Sequence, residues 1–341
     1  MPWVASLRSS KRTGPNCRYG GMLVKAGLPV PAVGPLSGAT ISAIVPLYNH
    51  AHYISATLES VLAQTSSVDE IVLIDDGSSD NGFQVAQHIL AQRPNTILHR
   101  QENADAYNAI NRAISLSSGD YLAILNSDDM FSPGKIERCR RILADRADTE
   151  MIVGEVSFMD GRGKTYKKMN KWMQCAYRFL DETGLPQLAQ LHRHFAFTTS
   201  NMVFSRNLWV EAGGFQKLRY CHDLDFLMFA YTRGKVFFDQ GHEHILYRRH
   251  KRNTVKENAK KVDIEVAAIM AYMFKISGPD LFSPALDEID FEAFRRVLAR
   301  RKMSDLILFF MTIGKKFSTR AELYAFATDP HRMNMFRTAL G

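Results

Sequence analysis

Leu122-Ala123-Ile124-Leu125-Asn126-Ser127-Asp128-Asp129 is an apolar run that passes directly into a short acidic turn. Four consecutive apolar residues read as a strand buried on both faces, and in open α/β sheets ligands sit outside the carboxyl ends of such strands. Paired carboxylates at that edge are hard oxygen ligands, suited to Mg²⁺ or Mn²⁺ bridging a diphosphate. A solvated Ser-Asp-Asp turn would use the same residues. The neighbouring segments decide between these readings.

The pattern recurs upstream. Residues 41–46 read as a strand, and residues 53–62 as an amphipathic helix with Ile54, Leu58, Val61 and Leu62 on one face. Residues 71–74 form a second apolar strand that ends in Asp75-Asp76-Gly77-Ser78-Ser79-Asp80, a turn before a helix carrying Val85, Ala86, Ile89 and Leu90. A strand at 96–99, a helix at 104–116 and the strand at 121–125 follow. Strands alternating with helices of this length predict βαβ units in a Rossmann-like, mainly parallel sheet flanked by helices, with each polar cluster after a strand on one edge. Downstream, a helix at 136–143 and a strand at 151–158 are expected, then an irregular, basic and aromatic stretch at 161–190. A strand at 201–204, the turn Gly213-Gly214-Phe215, a helix at 223–231 and strands at 236–238 and 245–247 complete this part. Beyond Val255 the spacing is helical throughout. The expected organisation is a flexible leader at 1–40, an α/β domain at 41–255 and a helical extension at 256–341.

Bulk properties narrow the class. A chain of 341 residues with 46% hydrophobic content is neither disordered nor a membrane protein. The four cysteines include no C-x-x-C pair, which argues against a disulfide framework or thiolate zinc site and suits a reducing cytosol. The Arg-, Lys-, Gly- and Pro-rich leader lacks the apolar core of a signal peptide. Runs such as 306–311 fall far short of the ~20 residues that span a bilayer. A net charge of +8 favours an anionic substrate, a phospholipid surface or nucleic acid.

Four landmarks occur in order: Val45-Pro46-Leu47-Tyr48-Asn49, Ile74-Asp75-Asp76-Gly77-Ser78-Ser79-Asp80, Asn126-Ser127-Asp128-Asp129, and Gly213-Gly214-Phe215 followed by His222-Asp223. In order and spacing they resemble the family 2 glycosyltransferases, inverting enzymes of the GT-A fold. Residues 57–64 and 108–111 add to the likeness, which covers roughly residues 41–255. The resemblance implies a nucleotide site at Pro46, Tyr48, Asn49 and Asp76, with Asp105, Asn108, Asn126 and Ser127 adding polar contacts. An aromatic ring suits packing on a base, and a carboxylate suits accepting a uracil-type N–H; Tyr48 also suits core packing, and Asp75 or Asp76 suits helix capping. In the family's D-x-D motif the last acidic residue binds metal. That place falls to Asp128, with Asn126 by the ribose and Asp129 either supporting the metal ligand from behind or contacting the sugar. The late Tyr247-Arg248-Arg249-His250 resembles a Tyr-Arg-x-His element whose histidine completes the metal site, which implies Mn²⁺ or Mg²⁺ at Asp128 and His250. Asp223 matches the aspartate of the family's Glu-Asp pair and so implies the general base, although the position also suits a helix N-cap. His222 stands where the family has glutamate; with Gly214, Phe215 and Arg249 it is assigned to the sugar or acceptor side. The pairs His192/His194 and His242/His244 alternate as strand residues do and argue against zinc.

The expected function is transfer of a sugar from a nucleoside diphosphate, UDP first, to a hydroxyl of a glycan or lipid-linked glycan in bacterial surface-polysaccharide synthesis. The expected location is the cytoplasm, with contact at the inner membrane. A nucleotidyltransferase is the first alternative, but it normally wants a Gly-rich, basic loop where Tyr48-Asn49-His50-Ala51 stands. A non-catalytic glycan-binding protein is the second. Nucleic acid is not expected, because no RNA-binding motif accompanies the basic residues. The clusters Arg295-Arg296, Arg300-Arg301-Lys302 and Lys315-Lys316 beside an apolar run suit either a packed helix with a basic face or an anionic lipid surface.

Overall fold

A computed structural model describes residues 37–166, 171–250, 253, 258–301 and 303–339. The expected leader lies outside the described residues up to position 36.

The sheet is built on β1 (Ile41–Leu47), whose seven residues are all buried. Its parallel neighbours are β2 (Glu70–Asp75) and β4 (Tyr121–Ile124), and β3 (Thr96–Arg100) pairs parallel with β2 on the outer side. The crossovers are α1 (Ile54–Leu62), α2 (Gly82–Leu90) and α3 (Ala106–Leu116). Register brings Leu47 opposite Asp75 and Ile44 opposite Ile124, so three polar turns leave one edge of the sheet side by side. The remaining strands are β5 (Met130–Phe131), β6 (Met151–Asp160), β7 (Val203–Ser205) and β8 (Val236–Arg249), and the sheet order is β3-β2-β1-β4-β7-β6-β8-β5. With β7 antiparallel to both β4 and β6, this is the mixed α/β sheet expected of the sequence.

Two expectations are corrected. Residues 236–238 and 245–247 are not separate strands but parts of β8, which pairs with β6 through register shifts at Gly154/Glu155 and Glu155/Val156. The polar, exposed middle of β8 hid this continuity from pattern reading, because a bulge places extra residues outside the alternation. Residues 161–190 are not irregular throughout: α5 (Lys171–Thr183) and α6 (Pro186–His192) occupy most of their second half. Met173, Ala176, Phe179 and Leu180 form the buried stripe of α5, a helical spacing obscured by intervening Lys, Gln and Arg.

The rest is helical: α4 (Lys135–Asp145), α7 (Arg206–Glu211), α8 (His222–Thr232), α9 (Ala259–Ser277), α10 (Glu288–Arg301), α11 (Ser304–Ile313), α12 (Arg320–Thr328) and α13 (Pro330–Ala339). Residues 264–271 of α9 are all buried, as a helix enclosed by its neighbours must be. One continuous apolar core runs from the sheet into these last helices. Among the described residues no helix is long and apolar enough to cross a membrane.

The joint between α4 and β8 rests on a buried charge. Arg138 donates Nε and Nη2 to the two oxygens of Asp239 at 2.9 and 2.8 Å, and the His244 ring lies 2.9 Å from Oδ2. Burial alone would raise this carboxyl, but the bonds to Arg138 and His244 outweigh it and bring it down to about 2. A depressed carboxyl contributes stability above its unfolded value and loses it as pH falls through its folded value. The shift corresponds to about 2 kcal/mol. Asp239→Asn is therefore expected to unfold about 2 kcal/mol more easily at pH 7, with the gap to the parent narrowing as pH falls from about 4 to about 2. Urea titrations across that range check it; a gap independent of pH rejects this account.

Candidate active site

The turns after β1 and β2 are held by their own side chains. Asn49 adopts a left-handed φ of 52°. Its amide donates to Ser78 Oγ at 2.9 Å, and its Oδ1 accepts from Ser79 N at 2.8 Å, locking the turn after β1 to the turn after β2. Tyr48 projects beside this staple and is 48% exposed, whereas Pro46 is buried within β1 and does not reach the cleft as expected. Asp75 is paired with Arg100 at 2.8 Å and serves the turn. Asp76 accepts from Gln101 Nε2 at 2.6 Å and Ala104 N at 2.9 Å, both through Oδ1. Burial lifts its carboxyl above the usual range, opposed by those two bonds. Neither Asp75 nor Asp76 caps α2, whose N-cap is Asn81. Asn108 joins this group through Gln101, and Asp105 is ion-paired to Arg219 at 2.6 Å.

The acidic turn after β4 places its two carboxylates in different surroundings. Asp129 is fully buried; its Oδ2 accepts from Ser200 Oγ at 2.6 Å and its Oδ1 from Arg248 N at 2.9 Å. It anchors the turn, in keeping with the first of its two expected places, behind the metal ligand. Asp128 lies beside His250, whose Nε2 is 2.9 Å from Oδ2. Burial opposes its ionisation, but the His250 hydrogen bond and the His50 and His250 charges prevail and hold it below the usual carboxylate range. Arg248 Nε donates to the Asp128 carbonyl at 2.7 Å and fixes the backbone. Asn126 bonds Thr198 and Thr199, and Ser127 Oγ lies 2.8 Å from His50 Nδ1. His50, Asp128 and His250 each offer a ligand atom, and these atoms all lie within 4.8 Å of one another. The donor set fits a divalent cation. His50 escaped sequence reading, although its place one residue beyond Asn49 put it on the same sheet edge.

On the other side of the cleft, Asp223 occupies the first turn of α8, whose N-cap is Cys221, so it does not cap the helix. His194 Nε2 stands 3.3 Å from Asp223 Oδ2, and its Nδ1 faces Gln190 Oε1 at 3.1 Å. That oxygen also accepts from Phe195 N and Ala196 N, which settles the orientation of the amide. Burial would raise Asp223, yet the His194 and His222 charges and the His194 bond hold it below the usual range. His194 was noticed in sequence only as half of an unlikely zinc pair; its partner was not legible. His222 donates toward the Leu218 carbonyl at 3.2 Å. Phe215 is buried, its ring 4.4 Å from that of Phe226, and Gly214 is buried with φ 75°. A Cβ on Gly214 would come 2.8 Å from Asn111 Oδ1, which accepts from Phe215 N. Both residues shape the loop before α8. Arg249 is exposed over the Phe158 ring at 5.8 Å. Tyr247 is pushed up by burial and by the charges of Asp129, Asp128 and Asp223, so these carboxylates surround one phenol.

The fold and the acidic turns at its edge define a mixed-sheet α/β domain with a polar, carboxylate-bearing site. Residues 42–209 match the family model described as Glycosyl transferase family 2, and the chain carries a domain of that family. An uncharacterized glycosyltransferase of Nostoc sp. is 36% identical over 126 residues, 37% of this chain and 39% of that protein. Another from Rickettsia typhi is 27% identical over 246 residues, 71% of this chain and 74% of that one. This chain spans well under half of the length of the first of these relatives in the match. The crystal structure of Staphylococcus aureus TarS residues 1–349 in complex with UDP superposes with a TM-score of 0.58 at 17% identity, covering 88% of this chain and 86% of that one. The same TarS segment in complex with UDP-GlcNAc superposes at 0.56 and 15%, covering 86% and 92%. These structures share its GT-A fold.

The loop carrying Asp223 is braced by the helical extension. Arg320 of α12 donates to the Ala212 carbonyl at 2.5 Å and lies 3.5 Å from buried Asp225, which accepts from Tyr324 at 2.6 Å. Arg320→Ala would leave that carboxylate without its cation and is expected to cost on the order of 3 kcal/mol in chemical denaturation. Tyr324→Phe, which removes a single hydrogen bond, is expected to cost about 1 kcal/mol. Equal losses in the two variants reject the ion-pair account.

Proposed function

We propose that this chain is an inverting glycosyltransferase that moves a sugar from a nucleoside diphosphate, UDP, to a hydroxyl of a glycan or lipid-linked glycan. The observation that carries the reading is the placement of Asp76 and Asp128 in turns that leave one sheet edge within the family 2 match, with Asp223 of α8 and Asp128 both acting on Tyr247. The TarS structures, solved with UDP and UDP-GlcNAc, support the choice of nucleotide. Tyr48 packs on the base and Asp76 accepts its N–H. Asp128 and His250 would hold Mn²⁺ or Mg²⁺, which offsets the diphosphate's charge when bound. Asp223 takes the proton of the acceptor hydroxyl as that oxygen bonds the anomeric carbon and the bond to the diphosphate breaks, inverting the centre. His194, held by Gln190, orients this carboxylate. Exposed Leu308 and Met311 near Lys315 and Lys316 support contact with an anionic inner-membrane surface, where a lipid-linked acceptor resides and surface polysaccharide is assembled.

Two measurements test this. Calorimetry is expected to show UDP binding strengthened by Mn²⁺ or Mg²⁺ in the parent, with the metal-dependent part lost in Asp128→Ala; equal affinity in chelated, metal-loaded and mutant protein defeats the reading. Asp223→Asn keeps size but removes the basic site. Transfer from a donor found by nucleotide-sugar screening is expected to fall by on the order of 10²–10⁴ while UDP binding stays near normal. Turnover within a few-fold of the parent removes Asp223 from the chemistry.

A further inference from the structure

The turn after β1 brings an imidazole to the acidic turn after β4, an arrangement that the metal assignment to Asp128 and His250 does not use. His50 Nδ1 is 2.8 Å from Ser127 Oγ, one residue before Asp128. Ligating histidines are typically oriented by a hydrogen bond from a neighbouring side chain or backbone group, and Ser127 supplies such a partner for His50. Tyr53 packs against both imidazoles, with ring centroids 5.7 Å from His50 and 5.3 Å from His250, and it carries the Arg248 guanidinium at 4.8 Å on its own ring. The two histidines therefore meet around one aromatic ring, 5.8 Å apart by centroid.

The spacing suits one ion. Cis ligands at ~2.1 Å from an octahedral cation stand ~3.0 Å apart, and His250 Nε2 and Asp128 Oδ2 are 2.9 Å apart. All three donor atoms fall within 4.8 Å of one another. We propose that His50 is a third protein ligand, and that two imidazoles with one carboxylate make this site select a first-row transition ion, Mn²⁺, Co²⁺ or Zn²⁺, over Mg²⁺. Mg²⁺ prefers oxygen and gives up water reluctantly, whereas first-row transition ions accept imidazole nitrogen more readily. A three-ligand face leaves open positions for diphosphate oxygens and water. The inference rests on the metal site of the proposed function and adds its selectivity.

The test uses the full chain and Mn²⁺ alone, without donor or turnover. Pulsed electron paramagnetic resonance of the bound ion is expected to show two imidazole nitrogens in the parent and one in His50→Gln. Mn²⁺ affinity is expected to fall on the order of 10- to 100-fold in that variant, and proportionately less Mg²⁺ is expected to displace half of the bound Mn²⁺. Ser127→Ala keeps the imidazole but removes its anchor, and is expected to weaken Mn²⁺ with nitrogen coupling retained; it covers the case in which His50→Gln fails to fold, as judged by thermal unfolding. A parent with one nitrogen coupling, or a folded His50→Gln with unchanged affinity and Mg²⁺ competition, overturns the role of His50 while the two-residue metal site stands. A parent that binds no Mn²⁺ with or without UDP overturns both.

Discussion

The buried carboxylate of Asp129 is the constraint on which the cleft depends. A carboxylate away from water needs hydrogen-bond donors from more than one direction, and Asp129 draws them from Ser200 and from the backbone of Arg248. Thr57 adds a hydroxyl that reaches the Ser127 and Asp129 carbonyls at 2.9 and 2.8 Å, and Lys135 Nζ bonds the Ser200 carbonyl at 2.8 Å. Helix α1, the turn after α6, and strand β8 thus converge on one residue. The result is an asymmetric pair. Burial and the charge of Asp128 push Asp129 well above the usual range, while the neighbouring histidines hold Asp128 below it. Two adjacent aspartates differ in chemistry because one faces the core and the other faces imidazole.

The second side of the cleft depends on the C-terminal helices in a comparable way. Glu265 of α9 accepts the amides of Arg219, Tyr220 and Cys221 at 3.0, 2.9 and 2.9 Å, just before the helix that bears Asp223. Burial pushes its carboxyl up to about 7, against the pull of those amides. Arg219 itself reaches back to Asp105 at the N-cap of α3. The segment at 219–221 therefore links the extension, Asp105 and Asp223. The position of Asp223 is a property of the helical extension as much as of the sheet.

Local pattern made the parallel half of the fold legible, since β1, β2 and β4 are short apolar runs ending in turn residues, and their register follows from burial on both faces. The antiparallel half was less legible. β8 crosses a bulge, and α5 hides its apolar stripe among polar residues. The site divides along the same line. Asp76, Asp128, Asp223 and His250 sit in turns that can be read from sequence. The structural contacts of Asp129, Gly214 and Phe215 depend on partners 71, 103 and 104 residues away in sequence, or on ring packing, which no local pattern encodes. His50 and His194 are the converse: ordinary histidines made notable by Ser127, Asp128, Gln190 and Asp223.

Charge placement gives the arrangement its chemical logic. The chain carries a net +8, yet the turns leaving one sheet edge carry Asp76 and Asp128. Of the nearby arginines, Arg248 is spent on the Asp128 carbonyl and Arg219 on Asp105, while Arg249 stands exposed over Phe158. Two unit charges of like sign 4 Å apart in a protein-like medium repel by about 4 kcal/mol. A nucleoside diphosphate entering this edge alone would meet that repulsion at Asp128 with no basic side chain on the acidic turn to offset it. On the proposed function, a divalent cation held by Asp128 and the imidazoles would offset that repulsion. Asp223, paired to His194, would remain available to take a proton. Giving the two aspartates different partners would then let one site hold an anionic leaving group and a base together.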